Sequence, residues 1–344
     1  MKSHRFYQTR DRRPTLDRAE GIYMWDKDGK RYIDGSSGAM VSNIGHSNPN
    51  VLSAIKAQMD KSTFGYRLHF ETEPSERLAA KVAELSPEGH NKVFFVSGGS
   101  EAVESAVKLA RQYVYAKGEK SRSKIISRRP SYHGATLGAL ALTAYEPLNA
   151  PFRDITMDMP HIPAPTCYLD RDNLSDHDRG IKYADMLEEK ILDEGPENIL
   201  GFIMEPIGGA STGALVAPDS YYGRIRDICD QYGILLIYDE VMTGVGRTGK
   251  FLASEHWNIN PDIIATAKGF GAGYIPLGAM TARDEIVETV LDSGGFQHGY
   301  TYAGNPIACA AGLAVIEEIY SNNTLSPKLN EIFCRFANIF ISSL

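Results

Sequence analysis

The sequence predicts an α/β fold, with a mostly parallel central sheet in a large domain and a smaller α+β domain beside it. Three observations carry that expectation. The chain has 344 residues, enough for a large core and a second lobe. From residue 92 onward, short β-rich runs alternate with amphipathic helical stretches, the pattern of strands joined by crossover helices. Near the start, residues Gly21 to Asp34 alternate apolar and polar side chains around Asp28-Gly29, which reads as a hairpin.

Along the chain, the spacing of Val51, Ile55 and Met59 predicts a helix from Asn50 to Lys61 with those residues on one face. Strands are expected at Lys92–Val96, Lys124–Ile126, Gly201–Met204, Ile234–Tyr238, Asp262–Ala265 and Leu277–Met280. Helices are expected at Glu101–Lys117, Gly134–Thr143, Ile181–Leu192, Pro218–Gln231 and Pro306–Tyr320. In such sheets, ligands sit beyond the carboxyl ends of the strands, so the residues just after each strand are the candidates for chemistry.

Composition narrows the function classes. With 43% hydrophobic and 23% charged residues and a formal charge of −7, the chain has an ordinary balance for a globular enzyme and offers no basic surface for nucleic acid or an anionic membrane. No run approaches the roughly 20 apolar residues of a membrane span, and the charged first ten residues lack the apolar core of a secretory leader. Cys167, Cys229, Cys309 and Cys334 stand far apart, which suits free thiols in a reducing cytoplasm. In that setting the glycosylation sequon at Asn322-Asn323-Thr324 is a chance match. No cluster of metal-ligand spacing is expected.

Two strand ends stand out. The strand at Ile234–Tyr238 runs into Asp239, a residue that serves equally as a helix cap or an ion-pair partner when considered alone. The next strand leads to Lys268 followed by Gly269, and a lysine after an apolar run and before glycines is placed for desolvation, the condition for an amine nucleophile. Ser97-Gly98-Gly99-Ser100 opens a helix after another strand, which makes either an anion site or an ordinary serine cap. Tyr132-His133-Gly134 offers an aromatic plate for a ring, with core packing as the alternative, and Thr301 offers a hydroxyl or a loop cap.

Residues 244–250, Gly-Val-Gly-Arg-Thr-Gly-Lys, imitate two nucleotide-binding motifs. Phe251 stands where a phosphate-binding loop needs Ser or Thr, and no clear crossover helix follows as a dinucleotide site requires.

Taken in order, Ser97-Gly-Gly-Ser-Glu-Ala-Val-Glu104, Ser131-Tyr-His-Gly134, Glu205-Pro-Ile207, Asp239-Glu-Val241, Gly246-Arg-Thr-Gly249, Lys268-Gly269 and Tyr300-Thr-Tyr-Ala-Gly-Asn-Pro306 resemble the class III aminotransferases. These are pyridoxal-phosphate enzymes of fold type I, and the resemblance covers roughly residues 20 to 320. It implies a Schiff base of pyridoxal 5′-phosphate on Lys268, with Asp239 paired to the ring nitrogen and Glu205 near the ring. It further implies Tyr132 on one ring face, Val241 on the other, and His133 beside the cofactor. Gly98, Gly99 and Ser100 would hold the phosphate, completed by Thr301 from the neighbouring subunit of a homodimer. An amino donor and a keto acid would react in turn, by a ping-pong mechanism, with the freed lysine moving the proton. Aminomutase, decarboxylase or racemase chemistry would use the same cofactor site.

The resemblance also implies a division into residues 1–55 (N-terminal part of the small domain), 56–295 (large cofactor-binding domain) and 296–344 (start of the C-terminal small domain). Members acting on ornithine, acetylornithine or 4-aminobutyrate commonly carry Gln-Gly-Glu after Glu-Pro-Ile. Here Gly208-Gly209-Ala210 stands instead, pointing to an ω-amino acid or amine donor and a keto acid such as pyruvate, with Met40 near the amine pocket. After Ser321 the text departs from the family, and Lys328–Leu344 reads as an amphipathic helix or a shortened frame, which would leave the source of the substrate-carboxylate arginine open and allow an impaired homologue.

Overall fold

The structure, a computed structural model, describes residues 4–321; Cys334, the sequon at Asn322 and the expected helix at Lys328–Leu344 lie outside the described residues. A three-stranded antiparallel sheet opens the chain, formed by β1 (Leu16–Glu20), β2 (Tyr23–Asp26) and β3 (Arg31–Ile33). The hairpin between β2 and β3 closes on Asp26, whose Oδ1 accepts from the amides of Asp28 and Lys30 and whose Oδ2 accepts from the Tyr32 hydroxyl at 2.7 Å. Gly29 supplies the left-handed residue at φ 78°. The expected hairpin is present, and β1 adds a strand that its exposed, polar sequence did not announce.

One irregular turn, α1 (Ser37–Met40), leads to α2 (Pro49–Lys61), capped by Asn48, and α3 (Glu73–Leu85). In α2 Val51 is buried but Met59 is half exposed, and Gln58 is buried in its place. Spacing of four residues drifts about 40° per step on a 3.6-residue helix, so the third member turns out of the core. Gln58 is accommodated because its amide donates to the Ser62 carbonyl and hydroxyl at 2.9 and 3.0 Å.

The main sheet has seven strands in the order β4 (Lys92–Val96), β10 (Gly278–Ala282), β9 (Ile263–Thr266), β8 (Leu235–Asp239), β7 (Ile199–Met204), β5 (Lys124–Arg129) and β6 (His161–Pro163). Only β10 runs against its neighbours, so the sheet is mostly parallel, as expected. Between the strands run α4 (Gly99–Ala116), α5 (Leu137–Leu142), α6 (Glu146–Asn149), α7 (Asp176–Glu194), α8 (Asp219–Tyr232) and α9 (Asp284–Asp292), and α10 (Pro306–Ser321) ends the described chain. The helix expected from Gly134 begins only at Leu137. Gly134 sits at φ 142°, and a Cβ there would lie 2.8 Å from Ser100 Oγ, so residues 131–136 stay looped against the start of α4.

Strand alternation sorts the core. Leu235, Ile237, Ile263 and Ala265 pack against α4 on one face, while Leu236, Tyr238 and Phe202 pack against α7 and α8 on the other. Phe95, Ile264 and Ala279 meet α2, α3 and α10 in a third cluster. There α10 comes close at Gly312, where a Cβ would stand 2.4 Å from Leu277 and 3.2 Å from Leu78.

Leu78 is fully buried at that contact. Its replacement, Leu78→Ala, is expected to cost about 2–5 kcal/mol in chemical denaturation. A loss below about 1 kcal/mol would show that the α3–α10 packing contributes little.

Candidate active site

Because successive side chains of a strand alternate, Asp239 at the end of β8 follows Leu235 and Ile237 onto the α4 face. Its carboxylate is buried and has two partners: His133 Nδ1 donates to Oδ2 at 2.8 Å, and the Val241 amide donates to Oδ1 at 3.1 Å. An ionised carboxylate only accepts, so the proton in the first bond sits on Nδ1. The loop after β5 supplies His133, which is held by its own amide donating to Thr143 Oγ1 at 2.8 Å.

Beside this pair, β9 ends at Thr266 and places Lys268 at φ 46°, a left-handed conformation that lysine rarely adopts. Burial lowers the affinity of its amine for a proton, Asp239 and Glu205 oppose that effect, and Arg247 reinforces it.

At the end of β4, Gly98 is extended and caps α4, and the Glu101 carboxylate reaches back to the Ser97 amide at 2.8 Å. The first-turn amides of Gly99 and Ser100 have no intrahelical acceptor and carry the positive end of an 18-residue helix. A Cβ on Gly99 would stand 2.7 Å from Val241 Cγ1, so only glycine leaves this cradle open. Ser100 Oγ accepts from the Ala135 amide at 3.0 Å, which leaves its own proton free to donate. Glu104 accepts from the amides of Gly138 and Ala139 and ties the Tyr132–Thr136 loop over α4.

Glu205, after β7, is also buried; its Oε1 accepts from the Gly209 amide at 3.2 Å, and its Oε2 lies 3.6 Å from the buried guanidinium of Arg128. Burial pushes the Glu205 carboxyl above its usual range, more than His133 and Arg128 hold it down. Arg128 also donates to the Glu205 main-chain carbonyl. The sequence reading passed over Arg128; its position two residues before Pro130 and four before Tyr132, inside a strand, was the available signal.

All the predicted site residues except two, Gly98 and Thr301, line one cleft of about 490 Å³. Met40, Gly99, Ser100, Tyr132, His133, Glu205, Ala210, Asp239, Val241 and Lys268 meet there. Gly98 is turned into the sheet, its carbonyl accepting from Ala102 at 3.0 Å. Thr301 stands exposed in the turn before α10, away from this chain's own cleft. Tyr145, Leu148, Ser211 and Met242 complete the walls, and loop packing rather than any motif brings the first two there.

The cleft fits pyridoxal 5′-phosphate on observations internal to the chain. It offers an open helix N-terminus for a phosphate, a half-buried amine for an aldehyde, and a carboxylate fixed to face a ring. Glu205 Oε2 and His133 Nε2 lack hydrogen-bond partners among the described residues, as expected where a polar ligand completes the site.

Because its folded-state value is depressed, Lys268 binds fewer protons folded than unfolded, and its contribution to stability worsens as pH falls below the ordinary lysine value. Lys268→Met should therefore raise the thermal midpoint of cofactor-free protein near neutral pH, with the gain fading above about pH 10.4. A lower midpoint at neutral pH would contradict the burial argument.

The class-III aminotransferase family model matches residues 7–336, so the match begins before residue 20 and runs past Ser321, correcting the narrower extent read from the motifs. An uncharacterized aminotransferase, YodT, of Bacillus subtilis is 41% identical over 91% of this chain and 70% of its own length. A putrescine–pyruvate aminotransferase of Pseudomonas aeruginosa is 39% identical over 87% of the chain, which spans 65% of that enzyme. Among solved structures, an (S)-enantioselective omega-transaminase from Thermomicrobium roseum superposes with a TM-score of 0.89 at 38% identity, covering 93% of this chain and 73% of that one. An omega-transaminase from Pseudomonas jessenii, solved in complex with PMP, gives 0.87 at 34% identity, covering 91% and 70%. The chain belongs to the class-III aminotransferases, enzymes of fold type I that use pyridoxal 5′-phosphate to move amino groups between amines and keto acids.

Proposed function

We propose that this chain moves an amino group from an ω-amino acid or amine donor to a keto acid such as pyruvate, with Lys268 as the amine that carries the cofactor. One observation carries the reading: Lys268 and Asp239, at the ends of adjacent strands, open into the same cleft as the N-terminus of α4. When bound, pyridoxal 5′-phosphate supplies an aldehyde and a protonated ring that accepts electron density from the substrate carbon.

The chain's residues supply the rest. Asp239, oriented by His133 and the Val241 amide, would pair with the protonated ring nitrogen. Gly99 and Ser100 would hold the phosphate through first-turn amides and the serine hydroxyl. Tyr132 and Val241, which line the cleft, would flank the ring, with His133 held nearby through Asp239. Glu205, kept in place by Arg128, would sit near the ring. Lys268 Nζ would serve as the base that moves the substrate proton, a role helped by its lowered proton affinity. The donor product leaves before the keto acid enters, which gives ping-pong kinetics.

Met40 and Ala210 line the cleft, and this reading assigns them to its substrate side. Ala210 offers no charge there, which favours donors without a second carboxylate, and the Pseudomonas relative's printed name includes the diamine putrescine. A similar acetylornithine aminotransferase from Methanopyrus kandleri, 36% identical over 90% of the chain, keeps the α-carboxylate donors as the second reading. Exposed Thr301 suits a homodimer in which it reaches the neighbouring cleft. The unpaired Cys167, Cys229 and Cys309 suit a cytoplasmic enzyme, and no described helix is long and apolar enough to cross a membrane. The division at residues 55 and 295 belongs to the same reading, with β1–β3 in the first part and α10 in the last.

Two measurements test this. Protein loaded with pyridoxal 5′-phosphate should show visible absorbance of the bound cofactor that Lys268→Ala abolishes, while Asp239→Asn should keep binding yet lose about 100-fold or more in kcat. With pyruvate as acceptor, simple amines, diamines or β-alanine should be turned over. Strong turnover of ornithine or acetylornithine with none of these would overturn the donor assignment, and product without any need for a keto acid would favour one of the other chemistries on this scaffold.

A further inference from the structure

Residues 244–250, the glycine-rich segment that imitates a nucleotide loop, have a different use here. Arg247 Nη2 donates to the main-chain carbonyl of Met40 at 2.7 Å, and Asn43 Nδ2 donates to the Val245 carbonyl at 3.1 Å. The same N-terminal segment also rests on the loop after Lys268. A Cβ on Gly269 would lie 2.8 Å from Asn43 Nδ2, a Cβ on Gly273 would lie 3.0 Å from Ser42 Oγ, and the Tyr274 hydroxyl donates to the Gly45 carbonyl at 2.9 Å. Residues 40–45 are therefore clasped from both sides.

This segment needs an external hold. Ser37, Gly38 and Met40 have φ values of 52°, 66° and 60°, and two of the three are not glycine. Left-handed residues of this kind cost of order 1–3 kcal/mol each and persist only where their surroundings over-determine them. The local main-chain bonds, Met40 to Ser36 and Val41 to Ser37, close a single irregular turn. Yet Ala39 and Met40 form a wall of the cleft.

Arg247 is also an unusual cation. It is half-buried, its only side-chain hydrogen bond shown is the one to Met40, and no carboxylate pairs with it among the described residues. Burial consequently lowers its proton affinity, with no opposing carboxylate. A half-buried unpaired guanidinium is costly, which is understandable where its position is needed.

We propose that Arg247 is a positioning residue for specificity: by holding the Met40 carbonyl it fixes the wall of the cleft that Ala39 and Met40 form. This rests on the transaminase reading for its kinetic part, but the anchoring part stands on the fold alone.

The test uses the full chain and three variants, Arg247→Ala, Arg247→Gln and Arg247→Lys. Hydrogen exchange is measured on cofactor-free protein at the amides of residues 40–43, and kinetics on loaded enzyme with a small and a bulky primary amine. In Arg247→Ala and Arg247→Gln, exchange at residues 40–43 should quicken about tenfold, as for the loss of one charge-assisted hydrogen bond. KM should rise and the ratio of kcat/KM for the two amines should change at least about threefold, with cofactor absorbance retained. Arg247→Lys, which keeps a donor on a long side chain, should restore the exchange rate and the amine ratio in part. Unchanged exchange in Arg247→Ala overturns the anchoring, and so does a uniform rise across the whole chain with loss of absorbance, which would mark a general structural role. If exchange quickens only at residues 40–43 but no amine is turned over by the unaltered chain, the anchoring stands and the functional reading falls.

Discussion

The site is organised by one requirement: a carboxylate buried at the end of β8 has to find its hydrogen-bond donors inside the protein. A buried polar group left without them is costly to keep. Asp239 has two, because His133 Nδ1 and the Val241 amide both donate to it. Those two bonds set the positions of their neighbours. His133 fixes the loop after β5, which carries Tyr132 and lies against Ser100. Val241 is turned toward Gly99, so the absence of a Cβ on Gly99 is tied to the same carboxylate. One interaction thereby links three strand ends and the start of α4.

The next residue shows the other side of this economy. Glu240 points away from the cleft, fully buried, and accepts from Thr243 Oγ1 and from the amides of Ala253 and Ser254 at 3.1 and 2.8 Å. Burial raises its carboxyl to about 7, against those three donors. Its main chain pairs with Ala265 and Gly244, so it fastens β8 to β9 and to the loop that carries Arg247. Adjacent carboxylates thus divide the work: Asp239 faces the cofactor cleft, and Glu240 holds the loop behind it. Sequence spacing alone could not assign those directions, because they follow from the alternation of the strand that precedes them.

What the sequence made legible was whatever depends on neighbours along the chain. Lys268 before glycine, Asp239 after an apolar strand and Gly99-Ser100 at a helix start are local signals, and all four residues meet in the cleft. The unbroken apolar run from Ile234 to Tyr238 likewise marks a strand buried on both faces of the sheet. Long-range pairing left weaker traces. The reversal of β10 and the late start of α5 at Leu137 each depend on contacts with distant segments. Arg128 was passed over for the same reason, since only the fold brings it to Glu205, 77 residues away. Thr301 shows a limit of a different kind: its place in the turn before α10 is plain, but it does not line the cleft where the other site residues meet.

The distribution of strain separates what this scaffold holds rigid from what it can vary. Asp239, Gly99 and Ser100 sit on a strand end or on the first turn of a long helix, where the main chain is fixed by ladders of hydrogen bonds. Tyr132 and His133 lie on the loop after β5, and the left-handed backbone of Lys268 is held by Ala265-to-Asp239 pairing before it and by the Gly271 and Ala272 amides donating to its carbonyl after it. The cleft wall at Ala39 and Met40 has no such ladder and depends on Arg247, Asn43 and Tyr274 instead. Changes at those contacts can reshape that wall while Asp239 and the N-terminus of α4 stay in place, because none of the three belongs to the sheet. A scaffold built this way can vary one wall of its cleft without moving the strand ends and the helix start that line the rest.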